Sequence, residues 1–493
     1  MTSKEKSNVA QSMKFEINEV GRVKAVREFI VKADQMPSCV NGQIVEFDQK
    51  LRGIVMGFTE KDVQILMLGP KARIRAGDKV YSKAQSLYLP VGDAFIGRIV
   101  NALCEPIDSK GPIKASCEYP VFKDAPGVMD RTDVERTLES GTRIIDTIMP
   151  LAKGQRQLII GDRQTGKTTV TTDAILNQKG RDVICIYCSI GKPYSSLMKT
   201  ISLFQEKQVM DYTIVVSGIA SSSVGEQYLA PYAACALGEY FMYNGKDVLV
   251  IFDDLTRHAW IYRQISLLLD RAPGREAYPG DIFYLHSQLM ERAAQLSKEF
   301  GGGSMTFLPL IETLQGDPTG YIATNLVSMT DGQIYFSTAL FNSGVRPAID
   351  TGLSVSRIGN RAQWPAMKGP SRSLRLEFLQ YKELLQMTQL RTTEISKEAQ
   401  KKLNRGQAIT QLLIQDKNAP VCMEQQVVDM YALNREVLDN LSITEIKKFK
   451  EEFYQRITEW FPKLPGQLRE GKIIVDESIA NLEEALNFYF NPQ

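Results

Sequence analysis

A glycine-rich loop between a strand-like run and a helix-like run constrains the fold of this chain more than any other feature. Residues 158–176 read LIIGDRQTGKTTVTTDAIL, and the stretch GDRQTGKT matches the pattern G-x-x-x-x-G-K-[ST] in full. In such a loop the backbone N–H groups turn inward around phosphate oxygens, and the following helix presents its positive N-terminus. The predicted phosphate-binding residues are Gly161, Asp162, Arg163, Gln164, Thr165, Gly166, Lys167, Thr168 and Thr169.

A second strand-like run supports a metal-assisted nucleotide site. The stretch DVLVIFDDLTRH places Asp253 directly after five apolar residues, and Asp254 is in position to cap the next helix. Taken alone, an acidic residue after a strand is more often a helix N-cap or a turn residue. Beside a phosphate loop it indicates a carboxylate in a magnesium shell, together with the Thr168 hydroxyl. We therefore predict Thr168 and Asp253 as the residues at Mg²⁺.

The hydrophobic pattern divides the chain into three parts. Short β-rich runs with a hairpin signal at Asn41-Gly42 indicate a small barrel or sandwich at the N-terminus. In the middle, apolar strands such as DVICIYC and YTIVVSG alternate with helix-length stretches, which is typical of a parallel sheet covered by helices. Near the C-terminus, SITEIKKFKEEFYQRITEW has apolar residues at helical spacing after a Ser442-x-x-Glu445 capping box. The predicted domains are 1–83, 84–363 and 364–493.

Composition excludes several other classes of protein. Lys and Arg total 59 against 57 for Asp and Glu, so the chain lacks the basic excess of a nucleic-acid-binding protein. No apolar run approaches the roughly 18 residues that span a bilayer. The seven cysteines are scattered, and the CIYC stretch reads as part of a buried strand, so we expect neither a disulfide framework nor a metal site there. Only two histidines are present, which disfavours a Ser-His-Asp triad.

Four stretches of the sequence resemble one family closely. They are GDRQTGKT, FDDLTRHAWIYRQISLLLDRAPGREAYPGDIFYLHSQLMERAA, FGGGSMTFLPLIET and RPAIDTGLSVSRIG. These stretches resemble the alpha subunits of F-type ATP synthases, and the likeness covers nearly the whole chain. The resemblance implies a β-barrel, a RecA-like nucleotide-binding domain and a C-terminal helical domain.

The resemblance also implies a function within a membrane-associated rotary complex. Alpha subunits bind Mg-ATP, do not turn it over, and alternate with three catalytic beta subunits around a central gamma shaft. The complex makes or hydrolyses ATP while an ion such as H⁺ crosses the membrane through other subunits, so the expected location is peripheral, at the cytoplasmic face. The 18 residues before Glu19 are shorter than the extension that docks the peripheral stalk and show no helical stripe, so attachment to the stalk is left open.

Single residues then receive roles from the family pattern. Catalytic relatives carry a glutamate after the glycine that ends the next strand, whereas this sequence has Lys192 there, which cannot act as a base near neutral pH. Arg357 in GLSVSRIG matches the arginine finger that reaches the gamma-phosphate in a neighbouring beta subunit. The remaining residues predicted to line the chain's own pocket are Phe341, Arg346, Gln415 and Lys417, where the last two replace a pair of glutamines on the adenine side.

Two alternative functions remain open at the level of the sequence. One is a catalytic hexameric ATPase of the protein-translocating type, although Lys192 does not supply the carboxylate that this interpretation needs. The other is an RNA-translocating hexamer related to the termination factor Rho, although the first domain has few aromatic residues for stacking on bases. ATPase turnover of the isolated protein distinguishes a catalytic hexamer from a non-catalytic alpha-type subunit. RNA-stimulated turnover tests the Rho-related alternative.

Overall fold

A computed structural model describes residues 19–48, 51–69, 74–390 and 396–490 of the protein. The expectation about the segment before Glu19, that it carries no helical stripe, lies outside the described residues. Three bodies follow one another along the sequence: a β-barrel, an α/β domain built on a nine-stranded sheet, and a helical domain. This is the fold class that the sequence predicted.

The N-terminal body is a closed barrel of six strands whose neighbours all pair antiparallel. Around the barrel the order is β1-β2-β5-β4-β3-β6, so the barrel alternative is confirmed over the sandwich. Inward-pointing aliphatic residues such as Val31, Val45 and Ile65 are completely buried and fill its interior. The strands are β1 Glu19–Arg27, β2 Ile30–Asp34, β3 Gln43–Phe47, β4 Arg52–Phe58, β5 Val63–Leu68 and β6 Lys79–Ser86.

The hairpin predicted at Asn41-Gly42 is wrong, although the turn itself is present. Gly42 has φ of 80° and its amide donates to the carbonyl of Val55. The strand that follows this turn, β3, pairs with β4 and β6 rather than with the preceding β2. The turn therefore crosses the end of the barrel. The partners of β3 are determined by closure of the sheet and not by the residues of the local turn.

Short elements connect the barrel to the central sheet. They are β7 Tyr88–Val91, β8 Ile99–Asn101, β9 Cys117–Pro120, β10 Thr137–Leu138, α1 Arg143–Ile148 and β11 Leu151–Ala152. Strand β8 joins the edge of the central sheet, while β7 pairs with β9 and β10 pairs with β11 in separate two-stranded sheets. Short 3-10 helices occur at Asp93–Phe95, Val128–Asp130, Met210–Tyr212, Arg275–Ala277, Lys298–Phe300 and Gly359–Ala362.

The central sheet has the order β19-β18-β12-β17-β15-β13-β14-β8, and the two-residue β16 pairs with β17. All pairings are parallel except β16 with β17 and β18 with β19. Its elements are β12 Leu158–Gly161, α2 Lys167–Leu176, β13 Val183–Ile190, α3 Tyr194–Glu206, β14 Thr213–Gly218, α4 Val224–Tyr243, β15 Asp247–Asp253, α5 Leu255–Leu268, α6 Ile282–Met290, β16 Ala294–Gln295, β17 Ser304–Glu312, α7 Tyr321–Met329, β18 Gly332–Phe336, α8 Thr338–Asn342 and β19 Ile349–Ser356.

The helical body follows the sheet, and its best-signalled helix begins where the sequence indicated. The body consists of α9 Pro365–Lys368, α10 Leu374–Leu390, α11 Lys397–Leu413, α12 Met423–Asn434, α13 Ile443–Trp460, α14 Leu464–Gly471 and α15 Asp476–Phe490. Helix α13 begins at the predicted capping box, in which Ser442 and Glu445 each bond the other's amide. Its residues Ile446, Phe449 and Phe453 are buried against the neighbouring helices.

The α/β body and the helical body share one hydrophobic core, which includes residues of both. Between them, Arg143 at the start of α1 forms an ion pair of 2.9 Å with Asp429 of α12, and both side chains are almost fully buried. Cys185 and Cys188 of the CIYC stretch are buried in β13 as predicted, and the seven cysteines, which all lie within the described residues, are free thiols. Across the helices that are described, none is both long enough and apolar enough to cross a membrane.

The parallel pairing brings the carboxyl ends of four strands to one edge. Gly161 at the end of β12 lies in register with Glu312 at the end of β17. Asp253 at the end of β15 lies in register with Ser189 near the end of β13. This edge is where open parallel sheets bind ligands, because the helix N-termini and the strand-end side chains converge there.

Candidate functional site

The phosphate loop has the backbone geometry that its glycines require. A Cβ at Gly161 would lie 2.6 Å from the carbonyl oxygen of Phe336, so only glycine fits between β12 and β18. Gly166 has φ of 100° and precedes the first residue of α2, which makes it the N-cap of a ten-residue helix. The loop therefore directs its backbone N–H groups, and the positive end of α2, into the space above the sheet.

Lys167 lies at the centre of this loop with its ammonium group turned toward backbone oxygens. Its Nζ donates to the carbonyl of Gly161 at 2.6 Å and to that of Asp162 at 2.5 Å. Burial lowers the pKa of Lys167, and the carboxylates of Glu312, Asp254 and Asp253 act in the opposite direction. The residue is 7% exposed, so its charge is largely shielded from bulk water.

Two loop residues brace the loop through their side chains. Asp162 accepts hydrogen bonds from the Thr313 hydroxyl at 2.6 Å, the Gly316 amide at 2.8 Å and the Thr338 hydroxyl at 2.9 Å. Burial alone would raise the pKa of Asp162, but these bonds outweigh it and hold the pKa below its usual value. Arg163 pairs with Glu312 at 2.7 Å across the mouth of the loop. The carboxylate of Asp162 is thus turned toward the segments that follow β17 and β18.

A cavity of about 940 Å³ opens over the loop, between the sheet edge and the helical body. Most of the residues predicted from the sequence line it, whereas Gly161 and Asp162 lie beneath it and Arg357 lies elsewhere. The predicted residues that line the cavity are Arg163, Gln164, Thr165, Gly166, Lys167, Thr168, Thr169, Asp253, Phe341, Arg346, Gln415 and Lys417. The volume suits a nucleotide-sized ligand.

The corner predicted to hold magnesium contains a lysine. The Lys192 Nζ lies 2.5 Å from Asp253 Oδ2 and 3.2 Å from Thr168 Oγ1, and these two oxygens are 3.1 Å apart. The same Asp253 oxygen also accepts a hydrogen bond of 2.6 Å from the Tyr187 hydroxyl. Within the part of the protein that is described, no group of three or more His, Cys, Asp or Glu residues could hold a metal. As arranged, this corner does not fit a bound Mg²⁺, because an ammonium group occupies the space beside both predicted ligands.

Beside Asp253, two other carboxylates near the sheet edge, Asp254 and Glu312, line the cavity, and both are engaged. Asp254 caps α5 as predicted, accepting the Arg257 amide at 2.9 Å. Burial, followed by the negative charges of Glu312 and Asp253, raises the pKa of the Asp254 carboxyl to about 7. Glu312 is held by Arg163. Neither carboxylate belongs to the loop after β13, where Gly191 is followed by Lys192.

The far end of the cavity is bounded by the helical body. The guanidinium of Arg346 stacks on the ring of Phe341, with its carbon 4.9 Å from the ring centre. Gln415 is buried, and its amide is used entirely within the protein: it donates to the carbonyls of Gly141 and Ala419 and accepts the Arg143 amide. Gln415 therefore lines the cavity, as predicted, but has little hydrogen-bonding capacity left for a ligand. The side chain of Lys417 lies at the rim.

Sequence reasoning missed residues that the fold carries into the cavity. Thr142 lines the cavity with a buried hydroxyl that has no hydrogen-bond partner. Asp173 on α2 also lines it, and burial raises the pKa of its carboxyl to about 7 even though the Asn418 amide donates to it at 3.0 Å. The helical periodicity of α2 could have indicated Asp173, which lies on the turn after Thr169. Nothing in the local sequence signals Thr142.

Arg357 lies in a separate cleft. It follows β19, its side chain is exposed, and its backbone amide makes a hydrogen bond of 2.8 Å to the carbonyl of Asp331. Among the described residues, its guanidinium forms no ion pair or hydrogen bond. The cleft, of about 230 Å³, is lined by other arginines, including Arg156 and Arg361. Arg357 therefore lies on the surface and not in the cavity over the phosphate loop.

Comparison with known proteins gives consistent matches along the sequence. Residues 141–356 match the nucleotide-binding domain of the ATP synthase alpha/beta family, and residues 16–83 match the beta-barrel domain of that family. Residues 363–489 match the C-terminal domain that the ATP synthase alpha and beta subunits share. The three matches follow the order of the three bodies in the structure.

Three similar proteins from other organisms all have the name "ATP synthase subunit alpha". The protein is 46% identical over 466 residues to "ATP synthase subunit alpha" of Clostridium botulinum strain Eklund 17B, a match that spans 94% of this sequence and 92% of that protein. It is 46% identical over 480 residues to the protein of the same name from Petrotoga mobilis, spanning 97% and 95%. The protein of that name from Clostridium acetobutylicum is 44% identical over 476 residues, spanning 97% and 94%.

Proposed function

The chain belongs to the ATP synthase alpha/beta family, and from this membership we propose that it is a non-catalytic, nucleotide-binding alpha-type subunit of a rotary ATP synthase or ATPase. In this role it holds ATP at its own phosphate loop without cleaving it. It also contributes Arg357 to the catalytic site of an adjacent beta-type subunit. The protein is thus part of an enzyme, while the chemistry takes place at the neighbouring subunit.

One observation carries the non-catalytic part of the proposal. At the position where catalytic relatives are expected to have a glutamate, Lys192 projects into the phosphate cavity and pairs with Asp253 at 2.5 Å. Hydrolysis requires a base that polarises the attacking water, and an ammonium group paired with a carboxylate cannot accept that proton. The cavity can therefore bind a nucleotide but lacks the group that would activate water at this position.

We propose ATP as the ligand of this cavity, with the loop residues 161–169 at the phosphates. The stacked pair Phe341 and Arg346 would bound the base end, and Lys417 would meet the ligand at the rim. Coordination of Mg²⁺ by Thr168 and Asp253 stays a prediction from the sequence, and their contact with Lys192 counts against it. We assign no step of the proposed role to the metal.

The trans role of Arg357 is supported by where the residue lies. It is exposed, outside the phosphate cavity, and without a side-chain partner in the described part of the protein. A planar guanidinium is well suited to a phosphoryl group that gains charge during transfer, because it donates in a fork that matches phosphate oxygens. A surface arginine of this kind can reach a phosphate only in another subunit.

The assembly follows from the same proposal. We propose that three copies of this subunit alternate with three beta-type subunits around a gamma-type shaft, at the cytoplasmic face of the membrane and in contact with the membrane only through other subunits. No nucleic acid takes part. The coupling ion, the docking of the peripheral stalk and the domain boundaries at residues 83 and 363 stay predictions.

The experiment compares the isolated subunit with a ring reconstituted with a beta-type partner. We expect the isolated full-length subunit to bind ATP with negligible turnover, and multi-site turnover to appear on mixing. In the ring, Arg357→Lys should lower turnover by about a hundredfold, since the charge remains but the fork is lost. ATP binding to the isolated Arg357→Lys subunit should match that of the wild type. Arg372→Lys, at another exposed arginine, serves as the matched control.

Three results would contradict this proposal. Near-normal turnover of the Arg357→Lys ring would remove the trans role, and loss of ATP binding in the isolated variant would place the residue in cis. Sustained hydrolysis by a verified beta-free preparation would favour a catalytic hexameric ATPase instead. In that case Asp254→Asn tests whether the Asp254 carboxyl is the base for hydrolysis, because burial and neighbouring charges raise its pKa to about 7.

A further inference from the structure

The Lys192 side chain occupies the position at the sheet edge where a phosphate-loop protein is expected to hold its metal. Its Nζ is within 2.5 Å of Asp253 Oδ2 and 3.2 Å of Thr168 Oγ1. The Lys192 side chain is 14% exposed and the Asp253 side chain 1% exposed, so the pair is shielded from water. A cation of the protein itself therefore lies against both predicted metal ligands.

A divalent ion and this ammonium cannot share the corner. Mg²⁺ requires oxygen ligands at about 2.0–2.1 Å in near-octahedral arrangement, and it repels a neighbouring ammonium strongly in a buried site. The Asp253 oxygen is also already saturated, because Tyr187, Thr168 and Lys192 all bond to the same Oδ2. An ammonium supplies a positive charge and three donors, which match one carboxylate oxygen, one hydroxyl and one phosphate oxygen.

Hydrogen bonds hold the backbone at Gly191 and Lys192 in place, and this backbone position directs the lysine side chain toward Thr168 and Asp253. The Gly191 amide donates to the Gly218 carbonyl at 2.7 Å, and Arg257 donates to the Gly191 carbonyl at 2.7 Å. The carbonyl of Lys192 itself accepts the Ala220 amide at 2.9 Å. Gly191 has φ of 62°, and a Cβ there would come within 3.1 Å of Arg257.

We propose that the Lys192 ammonium is a built-in cation that replaces Mg²⁺ at this phosphate loop, so that the subunit's own site takes a nucleoside triphosphate in its metal-free form. The inference rests on the proposed function, in that ATP must bind at this loop. Lys167 and Lys192 together then place two positive charges beside the phosphates. Thr168 remains a hydroxyl donor to Asp253 and is not a metal ligand.

The test measures ATP binding by isothermal titration calorimetry with the purified full-length protein, once in EDTA and once in excess Mg²⁺. We expect the wild type to bind ATP at least as tightly in EDTA as in Mg²⁺, because Mg²⁺ withdraws metal-free ATP from solution. Lys192→Gln, which opens the corner, should bind about tenfold or more tightly in Mg²⁺ than in EDTA. Lys199→Gln, at an exposed lysine of α3, makes the same change of charge and should behave as the wild type.

A second measurement on the wild type avoids any dependence on how the variant folds. Electron paramagnetic resonance of Mn²⁺ with ATP should give no spectrum of protein-bound Mn²⁺ in the wild type, and should give one in Lys192→Gln. Wild-type ATP binding that is tenfold or more tighter in Mg²⁺, or a bound Mn²⁺ spectrum in the wild type, would overturn the inference while leaving the proposed function intact. Absence of ATP binding in both buffers would refute the proposed function, and this inference with it.

Discussion

Reversal of the charge at residue 192 tests the contact on which the site geometry depends. Lys192→Glu replaces the ammonium, 2.5 Å from Asp253 Oδ2, by a carboxylate that faces another carboxylate. Lys192→Gln is the matched control, because it removes the positive charge without adding a negative one. Both variants keep a side chain of similar length at the same backbone position, so the difference between them isolates the repulsion with Asp253.

The magnitudes follow from burial and distance. Losing a charge-assisted hydrogen bond costs about 1.5–3 kcal/mol, and because Lys192 is only 14% exposed little of this is lost to solvent screening. Two carboxylates about 4 Å apart at an effective dielectric constant of about 20 repel by about 4 kcal/mol. Protonation limits that repulsion, since keeping a glutamic acid neutral at pH 7 costs about 3.7 kcal/mol. We therefore expect Lys192→Gln to lose about 1.5–3 kcal/mol and Lys192→Glu about 5–7 kcal/mol at neutral pH.

The assay is differential scanning calorimetry of the full-length protein. The unfolding transition whose Tm rises when ATP is added is the one to follow, because it reports on the domain that binds ATP. For a domain of about 200 residues these losses correspond to a Tm lower by roughly 3–12 °C for Lys192→Gln and roughly 10–28 °C for Lys192→Glu. The difference between the variants should depend on pH. The folded state of Lys192→Glu holds a carboxyl with a raised pKa, so the folded state binds more protons than the unfolded state and stability falls as pH rises above about 4.3.

Two outcomes would refute this reasoning. If Lys192→Glu and Lys192→Gln melt together from pH 4.5 to pH 8, no carboxylate lies close to residue 192. If the Lys192→Glu penalty persists when Asp253→Asn is added, the repulsion comes from a different partner. Lys199→Glu, on the exposed face of α3, reports the cost of a surface charge reversal by itself.

Three further predictions concern the loop, a helix cap and a buried acid. Lys167→Ala should weaken ATP binding by about 2 kcal/mol or more, because it removes a charge-assisted contact to phosphate; equal affinity of variant and wild type in a titration would contradict the assignment. Ser442→Ala should destabilise the helical body by about 1 kcal/mol through loss of its N-cap bond to Glu445, seen as a lower urea midpoint, and an unchanged midpoint would show the cap to be dispensable. Asp173 has its folded pKa raised by burial to about 7, so its effect on stability is absent below about pH 4 and destabilisation accumulates as pH rises to about 7. Asp173→Asn should therefore raise the Tm at pH 8 and leave it unchanged at pH 4, while a shift of equal size at both values would rule out titration as the cause.

The sequence by itself determined the class of each body and the core of the site. The phosphate loop is readable because its chemistry is local: Gly161 and Gly166 supply backbone conformations that other residues resist, and Lys167 and Thr168 follow at fixed spacing. The caps of α13 and α5, at residues 442 and 254, are local for the same reason. Parallel strands with both faces covered leave a continuous apolar signature, so the central sheet was predicted as well.

Tertiary structure decided the features that depend on which distant segments meet. In the closed barrel β3 pairs with β4 and β6, and not with β2 as the hairpin signal at Asn41-Gly42 indicated. The same is true of Gln415, whose amide is consumed by backbone groups more than 270 residues away in sequence, at Gly141 and Arg143.

The position of Lys192 shows the difference most clearly. The sequence indicated what Lys192 is not, a catalytic carboxylate, because that inference needs only its place after a glycine. Its contact with Thr168 and Asp253 depends on the parallel register of β13 with β15 and on the order of strands across the sheet. The side-chain pattern along one strand does not show which other strand lies beside it in the sheet. Only the folded sheet therefore brings the ammonium of Lys192 to the carboxylate of Asp253 and the hydroxyl of Thr168.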